Sequence, residues 1–274
     1  MSAVSQMALL AKGDSGNDTL TKILLHMDGS DASTTFTDSN SGGSAHTWTA
    51  AGNAQIDTAI AKFTAAGLFD GTGDFITTPD HADFTIGASE FTVDFWFNRA
   101  GGDGGARFIC GQSDSAATAS TRTIQLNESA TNTIQGSVFV SSTATTVSST
   151  TTFTATGWHH VAFVRTGNTL RLFIDGTQEG GDVSFSGTIN NSTNAFGVGC
   201  LGELTTLTWN GSLDELRLSV GVARWTGNFT PPTAPYDASL NGATGTYAET
   251  GVAATFSVLQ PAAATSYSET GNAA

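Results

Sequence analysis

Short apolar runs of strand length recur about every 8 to 15 residues along this chain, with turn formers between them and no convincing helical period in any segment. The run "EFTVDFWFNR" is the clearest. Its Phe91, Val93, Phe95 and Phe97 fall on one face, because successive strand residues point to opposite sides. "KILLHMDG", "ARFICGQ", "RTIQLNE", "TIQGSVFVSS", "NAFGVGCLG" and "WNGSLDELRLSVGVA" read as further strands, and "GLFDGTGDFITTP" as two short ones about a Gly-rich bend. "WHHVAFVR" and "TLRLFIDGTQ" read as a hairpin around "TGN", and Asp175-Gly176 is a strong two-residue turn signal. A short helical turn is expected near Pro79 to His81 or between Val220 and Trp225. Many short strands with frequent turns imply an all-β, two-sheet antiparallel sandwich.

Composition agrees and narrows the function classes. Only 12% of the 274 residues are charged, against 39% hydrophobic, and the 17 Phe and five Trp can supply a large core without disulfide staples. The net charge of −14 argues against nucleic acid and against anionic membrane surfaces as partners. No run is long enough to span a bilayer, and "MALLA" near the start is too short for a signal peptide. Cys110 and Cys200 are expected to be buried thiols or one bridge, which spacing alone does not decide, and they form no zinc site of conventional spacing.

Three segments follow from this punctuation: an arm (1–20), the sandwich (21–236) and a C-terminal extension (237–274) that begins after the proline-rich "NFTPPTAPY". The extension repeats itself, as "YAETGVAATF" from Tyr247 and "YSETGNAA" from Tyr267. Each copy is expected to give one strand to a small sheet that holds subunits together.

The motifs "LLHMDGSD", "GLFDGTGDFITTPDHADF", "FTVDFWF", "GWHHVAFVRTGNTLRLFIDGT" and "GSLDELRLSVGVARWTGNFTPPTAPY" follow one another over about residues 20–236. In that order they resemble laminin-G-like domains of the concanavalin A-like lectin/glucanase superfamily, of the kind found in tailed-phage virion proteins. The resemblance implies a jelly-roll with one concave sheet, which in the superfamily binds carbohydrate or protein on that sheet or its rim. It further implies a virion protein of tail, fibre or capsid that lacks an export signal, assembles as a homo-oligomer with other virion proteins, and meets a host-surface glycan. A carbohydrate-binding module without a virion role is the alternative, and a glycoside hydrolase the weaker one.

Candidate site residues follow. In the family pattern Trp158 packs between the sheets. The adjacent His159 and His160 face opposite sides of one strand and so cannot form a catalytic pair. The E-x-D-x-E spacing of the superfamily's glucanases is absent: Glu90 and Asp94 share a face but lie in a structural strand, and Asp214 and Glu215 are adjacent, hence on opposite faces. No enzyme activity is expected. The resemblance places a structural Ca²⁺ at Asp28, at the Asp70-Gly71 bend and at Asp214, although Asp28 and Asp70 can equally cap Asp-Gly turns without metal. Trp209 and Trp48 are the candidate sugar platforms, while Trp225 packs the closing segment. Segments 113–122 and 141–156 are read as rim loops.

Overall fold

The computed structural model describes residues 16–101 and 104–236, with the backbone of two short strands beyond them. The sandwich has 15 strands: β1 (Thr21–Leu25), β2 (Thr49–Ala51), β3 (Gln55–Asp57), β4 (Ala66–Asp70), β5 (Phe75–Thr78), β6 (Phe91–Arg99), β7 (Arg107–Gln112), β8 (Ile124–Glu128), β9 (Thr133–Val140), β10 (Thr143–Thr152), β11 (Trp158–Thr166), β12 (Thr169–Ile174), β13 (Thr177–Ser184), β14 (Phe196–Val198) and β15 (Asn210–Val220). Of the described residues, 46% are strand and 3% helical, which fixes the class as all-β. One sheet of eight strands runs β13-β12-β11-β6-β15-β4-β3, with β1 also on β15; the other, of seven, runs β10-β9-β8-β7-β14-β5-β2. All the named pairings are antiparallel.

Alternation builds the core. Phe91, Val93, Phe95 and Phe97 of β6 lie inward beside Val161 and Phe163 of β11, and meet Ile124, Leu126, Ile134 and Val138 from the opposite sheet. A single large apolar cluster fills the space between the layers, as burial of both inner faces requires. One polar tie crosses it: Arg99 Nε of β6 sits 2.7 Å from Glu128 Oε1 of β8, both buried. The bend between β4 and β5 carries the chain from one sheet to the other, with Gly71 and Gly73 at positive φ. Asp175 and Gly176 take positive φ in the two-residue β12–β13 turn, the type I′ geometry that an Asp-Gly pair favours.

Some expectations are corrected. The Ser/Thr run read as a rim loop contains β10, ten residues long, because β-branched threonines suit an outer strand. The helical turn forms at Ala82–Phe84, with a second at Ala119–Thr121, and none forms between Val220 and Trp225. Residues 16–20, read as part of the arm, are docked: Asn17 donates to the Ser39 carbonyl oxygen at 2.6 Å, and Asp18 pairs with Arg224 at 3.0 Å. In the extension, β16 (Thr246–Glu249) pairs with β17 (Val252–Thr255), so one repeat copy supplies both strands of a hairpin rather than one strand. The second copy lies outside the described residues. No helix of the described residues is long and apolar enough to cross a membrane.

Candidate functional site

On the seven-stranded sheet, alternation turns Ile124 and Leu126 into the core, which leaves Gln125 and Asn127 of β8 facing out. The register places Asn127 opposite Gln135, which is opposite Ser148; beside them Gln125 is opposite Ser137, which is opposite Thr146. Two rows of amides and hydroxyls therefore cross β8, β9 and β10. Hydrogen bonds join them: Arg122 Nη1 donates to Gln125 Oε1 (3.0 Å), Gln125 Nε2 to Asn127 Oδ1 (2.8 Å), Asn127 Nδ2 to Gln135 Oε1 (3.2 Å) and Gln135 Nε2 to Ser148 Oγ (2.9 Å). Ser137 and Thr146 hydroxyls meet at 2.8 Å.

This grid is recessed, with Gln125 only 9% and Asn127 only 6% exposed. Phe139 lies beside it under the Arg122 guanidinium, 5.5 Å from the ring centroid. Gly111 of β7 takes positive φ, and any Cβ there would strike Leu201, so the chain after β14 passes close over this part of the sheet. Leu201, Leu204 and Phe108 form a small apolar cluster with Ala117. An amide has two N–H donors and two carbonyl lone pairs, and within the ladder each of Gln125, Asn127 and Gln135 gives one N–H and accepts once. Each thus keeps one donor and one acceptor of the kind that grips a sugar hydroxyl. No outward position of β8, β9 or β10 carries a carboxylate.

The opposite sheet carries ions on its outer face, but they are closed off. Arg217 of β15 holds Asp94 of β6 through two bonds, Nε–Oδ1 at 2.9 Å and Nη2–Oδ2 at 3.2 Å, with Tyr236 donating to the same carboxylate. Trp225 stacks on Phe229 (centroids 4.1 Å apart, 9° between planes) and covers the cluster together with Tyr236. Burial alone would raise the Asp94 pKa, yet Arg217 and His160 hold it below the ordinary range; burial lowers that of His160, 3.8 Å from Asp94.

The other sequence-predicted residues are distributed as follows. His160 is buried on that outer face, whereas His159 points the other way and meets the exposed Asp175 at 2.7 Å, so the two do not share a site. Trp158 is half-buried and, by alternation with His160, lies on the outer side rather than between the sheets. Trp209 is fully buried, its ring 5.8 Å from that of Phe97, and Trp48 packs against Phe196; neither presents a face to a sugar. Cys110 and Cys200 are free thiols inside the protein, and burial pushes the pKa of Cys200 up to about 12.

The four expected calcium ligands do not form one set. Asp70 and Gly71 stand at the Asn210 end of β15, roughly 13 Å along the strand from Asp214 at 3.3 Å per residue. Asp70 Oδ1 instead accepts from Thr72 N at 2.7 Å, the metal-free turn cap. Of the four, Asp28 and Asp214 are near enough for the charge of Asp28 to raise the pKa of Asp214. A bulge in β15, with Glu215 at positive φ, puts Asp214 and Glu215 together between the inward Leu213 and Leu216, overriding simple alternation. Glu215 is engaged by His26 Nδ1 (2.7 Å) and Tyr236 N (2.8 Å).

Asp214 has a consequence for stability. Burial first, then Glu215 and Asp28, push its carboxyl up to about 8. The folded state therefore holds this proton more tightly than the unfolded chain, and that stabilisation, complete below about pH 4, is lost as pH rises toward the folded value. Urea titrations should show the wild type losing about 3 kcal/mol between about pH 6 and pH 9 that Asp214→Asn keeps. The shift of His160 is common to both proteins and cancels in the comparison, whereas His26, which Glu215 and to a lesser degree Asp28 and Asp214 hold up, is raised less in the variant. Parallel stability curves for the two would contradict the assignment.

Comparison with known proteins agrees with this architecture. Residues 70–223, more than half of the chain, match the laminin G family profile described as Concanavalin A-like lectin/glucanases superfamily. No curated protein matches the sequence. Among solved structures, the binding domain of Paraclostridial Mosquitocidal Protein 1 superposes with a TM-score of 0.57 at 12% identity, over 74% of this chain and 50% of that one. Domain 4 of AbnA, a GH43 extracellular arabinanase from Geobacillus stearothermophilus solved with arabinotriose, gives 0.54 at 16% identity, over 74% and 93%. The binding domain of Botulinum Neurotoxin DC in complex with SialylT gives 0.56 at 12%, over 77% and 50%. This chain spans about half the length of the toxin binding domains it matches, and identities this low speak to fold alone. The profile match, the two antiparallel sheets and the motif order converge: the chain belongs to the concanavalin A-like lectin/glucanases superfamily.

Proposed function

We propose that this chain is a non-catalytic, lectin-like virion protein that attaches to a host-surface glycan through the amide grid on β8, β9 and β10. The observation that carries the reading is the ladder Arg122–Gln125–Asn127–Gln135–Ser148, whose amides keep one donor and one acceptor each. Superfamily membership supports a binding role, as do fold relatives solved with arabinotriose and SialylT. The virion setting rests on the resemblance of the motif series to phage proteins and on the repeat after the sandwich. A carbohydrate-binding module without a virion role is the second reading, favoured by the arabinanase domain, 93% of which this chain covers.

The full chain should bind saturably to at least one member of a glycan panel or to bacterial envelopes. Asn127→Ala should weaken that binding about tenfold, the worth of one or two hydrogen bonds, when measured at a temperature where the variant is fully folded, since the loss of its bonds to Gln125 and Gln135 also lowers the thermal midpoint. Equal affinity of the variant on every positive glycan would remove the grid from the account. Binding to plant-type arabinans with none to envelopes would move the reading to the second alternative.

The extension is assigned to assembly. Deleting residues 237–274 should leave the sandwich folded and convert an oligomer to monomers in light scattering. A deletion variant of unchanged mass would place the contacts elsewhere.

A further inference from the structure

The geometry points to a transition-metal site at the edge of the sandwich, made by His46, His81 and Asp83, which would take a divalent ion of the zinc class. It is remote in sequence from the amide grid and shares no residue with Asp28 or Asp214. Its three ligand atoms lie within 4.8 Å of one another. Asp83 Oδ2 is 3.0 Å from His81 Nδ1 and 3.6 Å from His46 Nε2. Ligands about 2.1 Å from a tetrahedral ion stand roughly 3.4 Å apart, so both distances to Asp83 are within about half an ångström of that spacing, and the two imidazole nitrogens, within 4.8 Å of each other, would close on the ion.

The local chain is arranged around the carboxylate. Ser44 N donates to Asp83 Oδ2 at 2.9 Å, and residue 43 is glycine, where a Cβ would come within 2.5 Å of that oxygen. His81 caps the short helical turn that carries Asp83, its Nδ1 accepting from Asp83 N at 3.2 Å, so the two side chains start from one turn and an ion would take over that nitrogen's lone pair. The imidazoles of His46 and His81 lie edge to face, 5.1 Å between centroids, with Phe84 packed against both. His46 is 4% exposed and His81 is 40% exposed, which gives the set a dry back and an open front for a water as the fourth ligand. His46 Nε2 also meets the Lys22 carbonyl oxygen at 3.2 Å; binding a metal requires its proton to stand on Nδ1 instead. Two imidazoles and one carboxylate favour zinc, cobalt or nickel over calcium, which prefers an all-oxygen shell. An ion here would clasp the β1–β2 loop to the turn that leads into β6.

Cobalt titration of the metal-stripped full chain tests this, read by visible d–d absorption, with zinc displacing the cobalt. One equivalent should bind and raise the thermal midpoint. His81→Ala and Asp83→Asn should each weaken binding at least about a hundredfold, more than loss of an outer partner costs. His159→Ala, which removes the comparable surface pair with Asp175, should bind as wild type. Absence of saturable cobalt binding overturns the site, as does binding that survives His81→Ala or disappears with His159→Ala. His81 is partly exposed and Asp83→Asn keeps the shape of its side chain, and unchanged far-UV circular dichroism verifies that each variant is folded.

Discussion

Arg217→Ala is expected to cost about 3–5 kcal/mol of stability, the penalty for leaving a buried charge without its partner. Asp94 is wholly buried on the outer face of the eight-stranded sheet, where Arg217 holds it through two hydrogen bonds and Tyr236 donates to it. Removing the guanidinium strands that carboxylate beneath the Trp225–Phe229 stack and takes away the cation lying 3.7 Å from the Tyr236 ring centroid. For a domain of this size the thermal midpoint should fall by roughly 6–20 °C. Replacing both partners, as Asp94→Leu with Arg217→Met, should cost less than Arg217→Ala alone, because no charge is then left uncompensated. A single variant within about 1 kcal/mol of wild type would show that the pair is solvated in solution.

Trp209→Ala should be comparably severe, at about 3–5 kcal/mol, through the cavity it opens. Trp209 is fully buried against Phe97 within the main core cluster. Any fall in glycan binding should then follow the unfolded fraction: at a temperature where the variant is folded its affinity should equal that of wild type, and Trp209→Phe should lose far less stability. A folded Trp209→Ala protein that has lost binding would return this residue to the site.

The fold was legible because its signals are local. Alternation in β6 and β8, Asp175-Gly176 in the β12–β13 turn and the Gly-rich bend after β4 each dictate a conformation within a few residues. The expectations that failed depended on which neighbour a residue meets. Trp209 sits next to turn residues in the sequence, yet it packs inward beside Phe97. Asp214 and Glu215 were assigned to opposite faces by a period of two that the β15 bulge breaks. β10 was hidden because an outer strand rich in Ser and Thr buries little more than Val147 and Ser149, leaving almost no apolar alternation to read.

The amide grid was half visible. "TIQLNE" and "TIQGS" alternate apolar with amide, which places Gln125, Asn127 and Gln135 outward on their strands. That those outward rows align needs the β8–β9 register, a property of pairing rather than of either segment. The His46–His81–Asp83 set was hidden for a similar reason: a loop and a turn some 35 residues apart supply it, and neither segment alone holds a metal motif.

The claim that β8, β9 and β10 form the binding face is tested most directly by following side-chain amide NH₂ resonances of the full chain by NMR during titration with a glycan identified by panel binding. The account predicts that the NH₂ signals of Gln125, Asn127 and Gln135 shift first and saturate together with the binding curve, because their spare donors and acceptors take the sugar hydroxyls. Shifts confined to residues of the eight-stranded sheet, with these three amides unmoved at saturation, would contradict it.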